Sequence, residues 1–144
     1  MAQTAALTKI FLAEIERFLL TASGVPHDAD TPNASRPRLG GISFLHRFGS
    51  ALNHHVHLHV CVTDGVFVPA AAAPARDAPP AFLPARPITQ ADLAALTARV
   101  RRRSFRWFKR RGFLDAQVAA DILAWENSGF SASSAESVGY FRLG

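Results

Sequence analysis

The sequence predicts an α+β domain, with helices flanking a central antiparallel sheet. Three observations carry that expectation. The chain opens with apolar residues at helical spacing: Leu7, Ile10, Phe11, Ile15, Phe18 and Leu19 share one face. Two neighbouring runs, 42–48 after the Gly40-Gly41 pair and 53–62, read as strands, the second with side chains alternating at the period of a strand. After a proline-rich interval, helical spacing returns twice, over 89–112 and 115–125.

The elements follow in order. The first helix should end before Gly24 and Pro26, and residues 24–40, with three prolines, should form a loop. The first strand follows Gly40-Gly41, and Gly49-Ser50 marks a connection to the second. Asp64-Gly65 signals a turn into a short strand at Val66–Val68. Residues 69–87 hold six of the nine prolines, so only a brief return strand near Phe82-Leu83 is expected there. Thr89 followed by Asp92 forms a capping box, and Gly112 provides a helix stop. The next helix, Asp115 to Trp125, carries Val118, Ile122 and Leu123. Beyond Gly129 the chain is rich in Ser and Gly and shows no period.

Bulk properties set limits. A length of 144 residues suits one domain. Sixteen Lys and Arg against eleven Asp and Glu give a net charge of +5, which favours a polyanionic partner. The single cysteine, Cys61, excludes an internal disulfide and a cysteine-rich zinc site. Glu14, Glu16 and Arg17 interrupt what a signal peptide would keep apolar, and no run of apolar residues is long enough to span a membrane. A cytoplasmic location is expected.

The chemistry concentrates in Asn53-His54-His55-Val56-His57-Leu58-His59-Val60-Cys61-Val62. On a strand, His55, His57, His59 and Cys61 share one face, while Val56, Leu58, Val60 and Val62 share the other. Same-face neighbours lie about 6.6 Å apart, so two imidazoles converge on one ion. Three on a straight strand do not, because the outer pair is about 13 Å apart. His57 and His59 are therefore the expected metal ligands, with His55 as a substitute or supporting partner and a third ligand from elsewhere. Asp64, beside Gly65, reads as a turn residue rather than that ligand. The His-x-His spacing alone also occurs in cupins and amidohydrolases, but no histidine follows His59 to complete such a site.

The flanking residues narrow the choice. Gly40-Gly41-Ile42-Ser43-Phe44-Leu45-His46-Arg47-Phe48-Gly49-Ser50-Ala51-Leu52-Asn53 leads into the histidines, and Asp64-Gly65-Val66-Phe67 follows them. This region resembles the histidine-hydrophobe-histidine (HUH) segment of two-tyrosine rolling-circle insertion-sequence transposases, the ninety-one family. Ala119-Ala120-Asp121-Ile122-Leu123-Ala124-Trp125 and Asn127-Ser128-Gly129-Phe130-Ser131 extend the likeness. The resemblance implies an HUH endonuclease fold with Mg²⁺ or Mn²⁺ on the paired histidines. It also implies metal-dependent nicking and joining of single-stranded DNA through a 5′-phosphotyrosine. Two features depart from it. The family's cysteine-rich zinc-binding region has no counterpart, and the sole tyrosine, Tyr140, lies in Ser137-Val138-Gly139-Tyr140-Phe141-Arg142 rather than in a two-tyrosine helix. The expectation is a truncated element: residues 1–131 as a partial catalytic domain with 69–87 as a loop within it, and 132–144 as a divergent tail. It should bind metal and DNA without cleaving, since covalent strand transfer requires a nucleophile.

DNA contacts are expected from the basic helix. Arg99, Arg101, Arg102, Arg103, Arg106, Lys109, Arg110 and Arg111 make up half of all Lys and Arg, and Arg47 is a further candidate. Phe105 or Phe108 could stack on unpaired bases if exposed. A metal-independent DNA-binding remnant and a small metallohydrolase are the alternative readings. The oligomeric state is not legible.

Overall fold

The computed structural model describes residues 2–25, 36–48, 54–70, 79–124, 132–135 and 139–143. Three helices, a four-stranded antiparallel sheet and a two-stranded antiparallel hairpin give the α+β fold. The helices are α1 (Ala2–Ala22), α2 (Gln90–Arg110) and α3 (Ala116–Ala124). The strands are β1 (Gly41–Phe48), β2 (His54–Val62), β3 (Gly65–Val68), β4 (Ala81–Pro84), β5 (Ala132–Ala135) and β6 (Gly139–Leu143).

Helix α1 buries Ile10, Phe11, Ile15, Phe18, Leu19 and Leu20. They pack with Leu93, Leu96 and Val100 of α2, Val66 of β3, and Leu58, Val60 and Val62 of β2 in one core. Each such side chain contributes roughly 1.5–3 kcal/mol on burial. The branched face of β2 thus faces inward, as the alternation predicts; Val56 lies outside the described side chains.

The start of α2 is fixed by local chemistry. The Thr89 hydroxyl accepts from the Asp92 N–H at 3.2 Å, and the Asp92 carboxylate accepts from the Thr89 N–H at 2.9 Å, closing the capping box. Arg86 donates to both Asp92 oxygens, at 2.6 and 2.8 Å. Its backbone N–H reaches the Ala22 carbonyl, and its guanidinium lies over the Phe18 ring. One arginine therefore ties the end of α1 to the start of α2. Hydrogen bonds from the Arg86 side chain, then from the Thr89 hydroxyl and the Thr89 N–H, hold the Asp92 carboxyl well below the ordinary carboxylate range.

The sheet order is β1-β2-β6-β5. Pairing of β1 with β2 sets Gly41 against Val62, Phe44 against His59 and His46 against His57, with an irregularity between His46 and Phe48. At the β2–β3 corner, the Thr63 N–H and the Gly40 carbonyl pair at 2.8 Å, and the Thr63 hydroxyl donates to the Gly65 carbonyl. The β3–β4 hairpin pairs Val66 with Leu83 and Phe67 with Phe82, so the brief return strand expected near Phe82-Leu83 does form.

Two features differ from the sequence expectations. The stretch past Gly129, aperiodic and set apart as a tail, supplies β5 and β6, and β6 pairs directly with β2: Tyr140 lies opposite Cys61 and Arg142 opposite His59. The Ser-Ala run of β5 and the five residues of β6 are too short to show a period of their own, and their pairing is imposed by the neighbouring strand. Among the described side chains of α3, Ala119 is buried, 2% exposed, and Ile122 half-buried, whereas Val118 is 44% exposed. Residues 26–35, 71–78 and 125–131 lie outside the described part, including the Trp125–Phe130 segment.

Candidate metal centre

The β1–β2 pairing builds a histidine cluster from two strands. Position 46 faces 57 directly, and 59 is the next same-face residue along β2. Ring centroids of His46 and His57 lie 5.0 Å apart, those of His46 and His59 4.7 Å, and those of His57 and His59 4.9 Å. One ring nitrogen from each of the three falls within 4.8 Å of the others. Two ligands on a shared ion at about 2.1 Å can be at most about 4.2 Å apart, so modest ring rotations would close the triad. His46 is exposed, and His57 and His59 are half-buried.

The sequence reasoning named His57 and His59 and missed His46 as the third member. The signal was present: antiparallel pairing of the two predicted strands brings 46 opposite 57, on the face shared by Ile42 and Phe44. The side chain of His55 lies outside the described part, as does that of Arg47. Asp64 sits at the β2–β3 bend, exposed, with its carbonyl accepting from the Ala85 N–H, and it is not a member of the cluster.

The donor set has a preference. Three imidazoles suit a first-row transition ion, whereas Mg²⁺ favours oxygen ligands. Beside the histidines, Ile42 and Phe44 are 63% and 51% exposed. This face of the sheet is therefore open at the β1 side, opposite to the face that packs on the helices.

The basic helix divides its charges. Arg99 and Arg103 both turn inward to Glu14, a fully buried carboxylate on α1: Arg99 Nε donates to Oε2 at 3.1 Å, and Arg103 Nη1 donates to Oε1. Arg101 donates to the Ile122 carbonyl at 2.9 Å, joining α2 to α3. Those three of the expected DNA contacts are engaged within the fold. Arg102, Arg106, Lys109, Arg110 and Arg111 are exposed and form no ion pair among the described residues. Phe105, a candidate for base stacking, is buried at 7% exposure and is not available for it. Phe108 is half-buried within an aromatic group with Trp107 and Phe113.

Residues 40–136 match the family model described as "Putative transposase". The chain belongs to that transposase family. The match takes in both strands of the histidine cluster, all of α2 and α3, and β5. Neither a curated protein nor a solved structure matches the chain. As a transposase, the protein acts on DNA. Among the described residues, no helix is long and apolar enough to cross a membrane.

Proposed function

We propose that this transposase chain holds a divalent cation on His46, His57 and His59 and presents it to a phosphate of single-stranded DNA. The function is that of the metal-binding part of a rolling-circle enzyme of the HUH, ninety-one type. The observation that carries the proposal is the three-imidazole cluster, with ring centroids within 5.0 Å, in a chain of a transposase family.

Each group has a part. His57 and His59 supply two nitrogens from one strand, and His46 supplies a third from its neighbour. The pairing of β1 with β2 fixes their spacing, and the apolar inner face of β2 anchors that strand in the core. When bound, a Mn²⁺ or Mg²⁺ ion would polarise a phosphoryl oxygen and stabilise charge that develops during phosphodiester attack. The donor set favours Mn²⁺ of the two. The exposed cations of α2 hold the DNA backbone by neutralising phosphates. No nucleophile is assigned: Tyr140 occupies a position on β6 opposite Cys61, not a helix bearing paired tyrosines. Strand cleavage is expected to require tyrosines that this stretch does not supply.

The test is a Mn²⁺ titration followed by NMR. Selective paramagnetic broadening of the His46, His57 and His59 ring signals, lost in the His57→Ala/His59→Ala variant, is the expected result. Unchanged ring signals at saturating metal would overturn the metal assignment. With Mn²⁺ and a single-stranded oligonucleotide, no nick and no protein–DNA adduct should form; an adduct at Tyr140 would refute the lack of a nucleophile.

A further inference from the structure

The far end of α2 carries an aromatic group that the metal centre does not use. The helix ends in a Schellman turn: the Gly112 N–H reaches the Lys109 carbonyl, and the Phe113 N–H reaches the Phe108 carbonyl. Gly112 has φ +70°, a left-handed conformation that glycine adopts without a Cβ penalty. The turn folds Phe113 back onto Trp107, with centroids 5.8 Å apart and planes 30° from parallel. Phe108 meets Trp107 edge-on at 5.2 Å. Trp107 is itself packed against the core, so Phe113 rests on a fixed support.

An apolar contact of this kind is an ordinary part of a Schellman turn. What exceeds it is exposure and charge. Phe113 remains 54% exposed. Lys109, Arg110 and Arg111 surround the turn, all exposed, and the Arg111 guanidinium lies over the Trp107 ring. One or two cations would satisfy the negative end of the helix dipole. Here the positive charge continues back along one face through Arg106 and Arg102, at four-residue spacing, over roughly 12 Å of helix. No acidic side chain pairs with these five residues among the described ones.

We infer that the Trp107–Phe113 stack is a base-stacking platform for single-stranded DNA, with the Arg102–Arg106–Lys109–Arg110 face tracking the strand's phosphates. Unpaired DNA is the occupant that matches both halves of the surface. Its phosphates complement a row of cations, and its bases present π-faces to an exposed ring. A duplex hides those faces, and an acidic protein segment would use the charges but leave Phe113 uncovered. The platform reads no sequence, because every base offers a similar face. The inference rests on the proposal that this transposase handles single-stranded DNA, but it does not depend on the metal.

The test therefore runs in EDTA, which silences the histidine cluster. Fluorescence anisotropy would follow a labelled oligothymidylate and an abasic strand of equal length. Phe113→Ala should weaken binding of the oligothymidylate about 5- to 150-fold, the range of one lost stacking contact, and leave abasic binding unchanged. Phe113→Trp should retain affinity. Arg102→Ala/Arg106→Ala should weaken both strands alike. An exposed Phe113 allows folding without it, and an unchanged melting temperature would verify that. Equal loss on both strands, no loss on either, tighter binding of duplex, or no single-strand binding by the unaltered protein would each overturn the platform. Manganese broadening of the histidines would be untouched by any of these results.

Discussion

Replacing Arg99 and Arg103 together by leucine would strip both counterions from a carboxylate that has no access to water. The Glu14 side chain is 0% exposed, while the two arginines are 33% and 39% exposed. This asymmetry sets the order of damage. Glu14→Leu frees two cations that can swing into solvent, so its cost is the lost charged hydrogen bonds, of the order of 1–2 kcal/mol after rehydration. The double arginine replacement leaves an uncompensated buried charge, for which about 3–5 kcal/mol is typical. Solvent already screens the partly exposed guanidinium groups, so the lower end, about 3 kcal/mol, applies. At roughly 3 °C per kcal/mol for a chain of this size, the melting temperature should fall by about 9 °C. The triple replacement, with leucine at all three positions, removes the charge together with its partners and should melt within a few degrees of the parent. Thermal unfolding followed by far-UV circular dichroism measures all three. A double arginine variant that melts within about 3 °C of the parent, or above Glu14→Leu, would refute the assignment of these arginines to the fold.

Further outcomes can be checked alongside. With five exposed cations across α2 and its C-cap Arg111, the logarithm of single-strand affinity should fall with the logarithm of salt at a slope near 3.5, against about 5.6 if all eight basic residues of the helix and its cap met phosphates; anisotropy across a salt series separates the two. Ser104 is fully buried and its hydroxyl has no hydrogen-bond partner among the described residues, so Ser104→Ala should raise the melting temperature by a few degrees. The folded-state depression of the Asp92 pKa means its contribution is present above about pH 4, its unfolded value, and fades as pH falls toward the folded one. The stability gap between the parent and Asp92→Asn should therefore narrow on acidification in urea titrations, and a gap that widens would contradict the sign. A Cβ at Gly65 would collide with the Leu83 carbonyl; Gly65→Ala should cost about 1–3 kcal/mol by forcing β3 from β4, read as a lowered urea midpoint.

Legibility followed the range of the interaction. The limits of α2 were readable because Thr89, Asp92 and Gly112 act within a turn of themselves. The inward face of β2 was readable because alternation is local. His46 needed one step more, the register of a hairpin, and the strand period alone does not give it. The inward turn of Arg99 and Arg103 was not readable at all: their partner, Glu14, lies 85 and 89 residues away, and a basic run looks the same whether its charges face solvent or a buried acid. Strands β5 and β6 were hidden for the same reason, since their identity comes from the strand beside them. Val118, read as part of the apolar stripe, turned out exposed because a nine-residue helix leaves too few turns to fix its phase.

The divided loyalty of α2 gives ionic strength a selective effect. Charges in solvent lose their reach within about 8 Å at physiological salt, while an enclosed pair is much less screened. A rise in salt would thus loosen the grip on a nucleic acid well before it disturbed the clasp between the two long helices. Release of cargo and collapse of the carrier become separable events, set by which way each guanidinium points.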